Sequence, residues 1–329
     1  MASVDAAGEF ETIRKLLTPL AHPDYARGLL DDVAVLPSRP GVDLVMTKDV
    51  IVEGVHFLAE DPLDSVAQKL LRANLSDLAA KGAEPFGYLL ACHWSQRCGW
   101  PERKAFVAGL AADQATFGLH LLGGDTVMTP GPATFSATML GWAPKGGSVS
   151  RAGAKAGDAV YVTGMIGEGY LGLQAAKRHL KLEPERIEAL TEQYRRPLPR
   201  LAFGQAVQGL ATAILDVSDG LIADLAHIAD ASGVAAAVQL ESLPMSAAAH
   251  AWFETRIDPE AALETLATGG DDYELLLTAH PADEGALKRE ADRLLLRLTR
   301  VGTMTEGRGV TATYLGKPIE IRKAGWTHD

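Results

Sequence analysis

Cysteine is scarce. Cys92 and Cys98 are the only two in 329 residues, and they form no C-x-x-C pair. Disulfide scaffolds and zinc ribbons are therefore excluded, and a reducing cytoplasm is the expected compartment. No uninterrupted apolar run approaches the roughly 18 residues of a membrane span. The start, Met1-Ala2-Ser3-Val4-Asp5, lacks a basic stretch followed by an apolar one, so no secretory signal is expected. Lys and Arg nowhere form a block, and the formal net charge is −11. The basic footprint of a nucleic-acid binder is missing. Familiar catalytic signatures are missing too. Gly316-Lys317 is followed by Pro318, which breaks the phosphate-loop pattern G-x-x-x-x-G-K-[ST]. H-R-D and D-F-G do not occur, nor does H-E-x-x-H among the 9 histidines, nor G-x-S-x-G. Gly164-Met165-Ile166-Gly167-Glu168-Gly169 has the wrong spacing for a dinucleotide loop.

What is present fits a soluble α/β (α+β) protein. Apolar residues make up 47% and charged residues 22%, enough to bury a core. At about 100–200 residues per domain the length predicts two domains. Strands are expected over 44–52 and 133–142, and a helix over 64–81, where Val66, Leu70, Leu71, Leu75 and Leu78 form an apolar stripe. Asp64 or Ser65 is placed to cap that helix, with Gly82 and Pro85 as its stop. A second helix is expected over 102–117, then a short strand, His120-Leu121-Leu122, running into Gly123-Gly124. The Gly- and Ala-rich stretch from Lys145 to Gly157 marks the boundary between a domain over 1–148 and one over 149–329. Beyond it, strands are expected over 158–163, 211–217, 273–279, 297–303 and 310–321, and a helix over 220–231.

The chemistry lies in the aspartates, which fall where strands end and glycines begin. Asp31-Asp32 precedes Val33-Ala34-Val35-Leu36. Asp49 sits in an apolar strand two residues after Thr47, so the two share a face. Asp77 lies on the first helix, Asp125 follows Gly123-Gly124, and Asp271-Asp272 follows Gly269-Gly270. Asp216 and Ser218 alternate onto one face, and Asp219-Gly220 opens a helix. Carboxylates with hydroxyls are the donors a hard cation such as Mg²⁺ prefers, and neighbouring glycines let backbone N–H groups approach phosphate. The pattern reads as a metal-assisted phosphate site. Each member also has a plainer reading: Asp219 as a helix cap, Asp125 as a turn residue, Asp77 as half of a surface pair with Lys81.

The segments Gly8-Glu9-Phe10, LLDDVAVL (29–36), TKDVIVEGVHF (47–57), NLSDLAAKGAEP (74–85), LLGGDT (121–126), SRAGAKAGD (150–158), DVSDGL (216–221) and GGDDYEL (269–275) occur in that order. Together they closely resemble the thiamine-monophosphate kinase family, from about Gly8 to Gly325-Trp326. The resemblance implies a two-domain fold like that of aminoimidazole ribonucleotide synthetase. Its N-terminal domain binds ATP and metal and pairs in a homodimer, and a C-terminal α/β domain follows. It implies transfer of the γ-phosphate of ATP to thiamine monophosphate, with several Mg²⁺ ions.

By the same resemblance Asp32, Thr47, Lys48, Asp49, Asp77, Asp125, Asp216 and Asp219 occupy metal positions. Gly124, Asp125, Arg151 and Ser218 occupy ATP positions, and His56, Asp271 and Trp326 substrate positions. Asp49, Asp125, Arg151 and Asp219 would carry the transfer, with donors added by the N-terminus of the 220–231 helix. Leu30 stands where the family often has Gly. Lys48 replaces a frequent Thr and leaves only a backbone carbonyl as ligand. Asp271 is one methylene shorter than the usual Glu. Arg151 also reads as a linker residue, Trp326 as a packing residue and His56 as a core histidine. Two rival functions remain at this level: another enzyme of the same superfamily, or a non-catalytic nucleotide-binding protein.

Overall fold

The computed structural model describes residues 8–326. The chain start and residues 327–329 lie outside the described residues. The chain divides into two compact units, one of residues up to Leu78 with Glu84–Gly146, the other of Ala79–Ala83 with Gly147 onward.

The first unit holds α1 (Glu9–Thr12), β1 (Val42–Val52), α2 (Leu63–Ala80, its last two residues counted with the other unit), β2 (Glu84–Trp94), α3 (Trp100–Phe117), β3 (His120–Met128) and β4 (Thr134–Pro144). The strands form one sheet in the order β1-β4-β2-β3, with β2 and β3 parallel and the other pairs antiparallel. Period-two alternation splits its faces. On one face Phe106 of α3 stacks on Phe135 of β4, with centroids 4.2 Å apart, and meets the edge of Trp94 of β2. On the other, Phe86, Leu122, Leu140 and Trp142 are covered by Tyr25, Ala34 and Leu36 of the N-terminal segment. Leu44, Met46 and Val50 of the edge strand β1 remain 44%, 63% and 43% exposed.

The second unit holds β5 (Ala159–Thr163), α4 (Glu168–Ala176), α5 (Pro184–Arg195), α6 (Leu201–Ala206), β6 (Ala211–Asp216), α7 (Leu221–Ser232), β7 (Ala235–Gln239), α8 (Ala247–Phe253), α9 (Pro259–Thr268), β8 (Leu275–Ala279), α10 (Glu284–Arg293), β9 (Leu298–Thr305), β10 (Gly309–Tyr314) and β11 (Lys317–Ile319). Its mixed sheet runs β11-β10-β7-β9-β5-β8-β6. Both faces are covered. Val160 and Val162 enter a core with Leu221, Leu225 and Ile228 of α7, whereas Ala159 and Tyr161 enter another with Phe203 of α6 and Leu287 of α10. Such strands read as continuous apolar runs because neither face meets water.

Three expectations change. The strand at His120 does not stop at Leu122 but runs to Met128, so Asp125 lies within a strand and not after one. A register shift opposite Tyr88/Leu89 leaves Leu122 as the extra residue, and Gly123 and Gly124 pair with Leu89 and Leu90. Gly124, at φ +153°, lies against β2, where a Cβ would fall 1.8 Å from the Leu90 carbonyl oxygen. The central strand β2 was not expected, because Gly82 and Pro85 read as the stop of the preceding helix. Pro85 is accommodated by a second register shift, between Pro85 and Gly87. The single strand expected over 310–321 is a hairpin, β10 and β11, turning at Leu315-Gly316, both with positive φ.

Phe106 is fully buried and holds the aromatic layer together. Phe106→Ala should cost about 3–5 kcal/mol in the unfolding of the first unit, read by chemical denaturation.

Candidate phosphate and metal site

Strand β1 presents Thr47 and Asp49 on the helix-covered face, and α2 brings Asp77 beside them. The Thr47 hydroxyl donates to the Asp77 carboxylate. Burial, reinforced by the charge of Asp77, pushes the Asp49 carboxyl up to about 7. Two carboxylates and a hydroxyl brought together in this way are a hard-oxygen donor set with surplus negative charge, which fits a Mg²⁺ ion. Lys48 points to the opposite face, where its ammonium donates to the Ser136 hydroxyl at 2.6 Å.

Asp125 is elsewhere. The cross-strand row through Asp49 runs Ala137, Leu90, Gly124, so Asp125, paired with Ala91, belongs to the next row and the opposite face. It also stands on the far edge strand, three strand spacings or about 14 Å from Asp49. There it lines a cavity of about 550 Å³ with Asp32, Gly123, Gly124 and Thr126. Leu29, Val33, Leu36, Leu89 and Leu140 give that cavity an apolar wall. His56 closes the turn after β1: its Nδ1 accepts the Val52 N–H at 3.1 Å and its carbonyl accepts the Lys69 ammonium. The first unit thus gathers Thr47, Asp49 and Asp77 in one place and Asp32, Gly124 and Asp125 in another.

In the second unit, β6 ends at Asp216 and the chain turns through Val217–Gly220 into α7. Backbone hydrogen bonds lace this turn to other predicted residues. The Asp271 N–H donates to the Ser218 carbonyl at 2.7 Å, the Tyr273 N–H to that of Val217 at 2.8 Å, and the Trp326 N–H to that of Asp219 at 2.9 Å. Asp216, Ser218, Asp219, Asp271 and Trp326 are thereby gathered around one turn. Asp271 and Tyr273 both have positive φ, 68° and 53°, a conformation uncommon for residues with a Cβ. Trp326 is 47% exposed, and Lys323 already holds its ammonium 5.4 Å from the ring centroid, so the ring accepts a cation. Arg151 is exposed in the linking loop, where its carbonyl accepts from the Ser232 hydroxyl.

One expectation is narrowed here. The backbone donors of the turn leading into α7, that of Gly220 included, are already taken. One carboxylate oxygen of Asp224 accepts the N–H groups of Ser218, Asp219 and Gly220 at 3.0, 3.1 and 3.1 Å. Burial and the charge of Asp219 push its carboxyl up to about 7 against those three donors. Asp219, Asp224 and His227 bring ligand atoms within 4.8 Å of one another. Neither Asp224 nor His227 was singled out from the sequence. Their i, i+3 spacing on a helix that begins just after Asp219 is the signal that would have found them. The run Gly164 to Gly169 is similarly internal: Asp272 accepts the N–H groups of Gly167 and Gly169, and its own carboxyl is held well above the usual range by complete burial.

Residues 30–143 match the model of the AIR synthase related protein N-terminal domain, and residues 155–315 that of the C-terminal domain. The chain is thus a two-domain α/β protein of the AIR synthase related class. A thiamine-monophosphate kinase of Caulobacter vibrioides is 48% identical over 321 residues, covering 97% of this chain and 90% of that one. A crystal structure of the thiamine-monophosphate kinase of Stenotrophomonas maltophilia superposes with a TM-score of 0.82 at 35% identity, covering 96% and 99% of the two chains. A structure described as AaThiL complexed with AMPPCP and TMP gives a TM-score of 0.76 at 28% identity, covering 98% and 97%. Within its class, the chain belongs to the thiamine-monophosphate kinase family.

The raised Asp49 carboxyl has a consequence for stability. A carboxyl whose folded pKa exceeds its unfolded value favours folding while protonated. That contribution is complete below 3.8 and is lost as pH rises through about 7. In EDTA, Asp49→Asn should therefore match the wild type near pH 4 and exceed it above pH 7, by at most about 4 kcal/mol. Thermal melts across pH check this; a constant difference would contradict it.

Proposed function

We propose that this chain transfers the γ-phosphate of ATP to thiamine monophosphate, giving thiamine diphosphate and ADP. One observation carries the reading in a chain of this family: Ser218, Asp219, Asp271 and Trp326, from three separate segments, are laced to one turn by backbone hydrogen bonds. The acceptor phosphate has a second pKa near 6, so at neutral pH it is mostly dianionic and needs no strong base. Its attack on the γ-phosphorus is in line, with no covalent enzyme intermediate. The obstacle is repulsion between two polyanions in a chain of net charge −11.

Magnesium, when bound, supplies the positive charge that shields the phosphates. Thr47, Asp49 and Asp77 are assigned to hold one ion, with Lys48 offering a backbone carbonyl. Asp32 and Asp125 are assigned to a second position and Asp216 and Asp219 to a third. Gly124, Arg151 and Ser218 are assigned to ATP, Arg151 as a forked donor to the triphosphate. His56, Asp271 and Trp326 are assigned to the thiamine moiety, whose cationic ring suits the face of Trp326. The domain of residues 1–148 would carry ATP, metal and dimerisation, and that of 149–329 the rest. A cytoplasmic location accords with these soluble substrates. Among the described residues no helix is long and apolar enough to cross a membrane.

A homodimer completes the proposal. Asp49 and Asp125 stand at opposite edges of one sheet, too far apart to share an ion within a single copy. The exposed Leu44, Met46 and Val50 offer an apolar face for a second copy.

Incubation with ATP, Mg²⁺ and thiamine monophosphate should yield thiamine diphosphate and ADP, and EDTA should abolish both. Asp49→Asn should lower turnover at least about 100-fold with the fold intact; wild-type turnover would remove Asp49 from the metal site. ATP bound without product would return the chain to the superfamily's other substrates, or to a binding role. Met46→Glu should yield a monomer by light scattering, and a persisting dimer would place the interface elsewhere.

A further inference from the structure

Resting on the nucleotide reading above, we propose that Asp224 is a positioning residue for the turn Val217–Gly220, holding the Ser218 hydroxyl and the Asp219 carboxylate toward nucleotide and metal. The turn has two hydrogen-bonding edges. Its carbonyls, at Val217, Ser218 and Asp219, accept from Tyr273, Asp271 and Trp326. Its N–H groups, at Ser218, Asp219 and Gly220, all converge on one oxygen of Asp224. Asp224 is 4% exposed and stands in the first turn of α7, which is itself fixed in the core by Leu221, Leu225 and Ile228. The carboxylate is therefore a rigid post around which the turn is wrapped.

Chemistry explains why a carboxylate stands there. Successive backbone N–H groups curled to one point make an anion nest, and at a helix start the macrodipole strengthens it. Left open, this nest would draw a phosphate oxygen into the turn itself. Filled by Asp224, it is closed to phosphate, and the turn engages its ligands through side chains. Gly220 is required by the same wrap: it has φ +120°, and a Cβ there would lie 2.8 Å from the Thr268 backbone. In this role Asp224 acts through Ser218 and Asp219.

The test is calorimetric titration of the full-length protein with AMPPCP and Mg²⁺. The wild type should bind. Asp224→Ala should bind about 30-fold more weakly or worse, whereas Asp224→Asn, whose carbonyl oxygen can accept the same three N–H groups, should recover to within about threefold. If the alanine variant does not fold, Asp224→Glu takes its place: it keeps charge and acceptor but moves the post by one methylene. It should lose about tenfold in affinity at an unchanged melting temperature, a split that a purely structural role would not produce. A folded Ala or Glu variant that binds like the wild type overturns the proposal. So does an Asn variant as weak as Ala, since charge and not acceptor geometry would then be at work. A wild type that does not bind AMPPCP with Mg²⁺ would instead overturn the nucleotide reading on which this rests.

Discussion

Loop backbone in this protein is held in place by the chain's own buried carboxylates, and the second unit's site depends on that device. Asp224 collects three N–H groups at the start of α7, and Asp272 collects two at the start of α4. Buried backbone donors must be paired, and an unpaired one costs about 1–3 kcal/mol. A carboxylate satisfies several at once and suits the positive end of a helix. The cost is burial of negative charge, seen in the upward displacement of both carboxyls. Asp272 lies between Asp271 and Tyr273, the two residues with positive φ. Its anchoring to Gly167 and Gly169 is thus part of what holds Asp271 in an unfavourable conformation beside Ser218.

The same economy of charge governs the first unit in reverse. Asp49 and Asp77 lie near one another with burial and like charge both opposing ionisation of Asp49. The Asp77 carboxylate meets the Thr47 hydroxyl, whereas Asp224 and Asp272 are held by backbone N–H groups. Glu274, also buried, is paired instead with side chains, Arg200 and the Thr163 hydroxyl.

Much of this was legible in the sequence. Helical periodicity located α2 and α3 to within a residue or two, and alternation placed Thr47 and Asp49 on one face of β1 as found. The family motifs assigned the chain correctly. What could not be read locally was anything set by pairing. Strand β2 carries Pro85 and Gly87, residues that argue against a central strand until two register shifts are allowed for. Asp125 reads as following a glycine turn because Gly123-Gly124 looks like one, yet Gly124 is there for close approach to Leu90. The Gly220 N–H, at the start of the helix expected over 220–231, reads as available because sequence does not show that a side chain four residues on folds back over it.

The separation of Asp49 from Asp125 follows from those pairings and limits what one copy of the chain can do. Sheet order β1-β4-β2-β3 sets β1 and β3 at opposite edges, and the pleat sets the two carboxylates on opposite faces. Neither side-chain rotation nor loop motion closes a gap of about three strand spacings across a hydrogen-bonded sheet. A chemistry that needs both carboxylates on one polyphosphate therefore needs more than one sheet edge. The exposed apolar residues of β1 lie on the face of the sheet that also carries Asp125. Burying that face against a second copy would remove exposed apolar area, whereas Asp49 lies on the other face, under the helices.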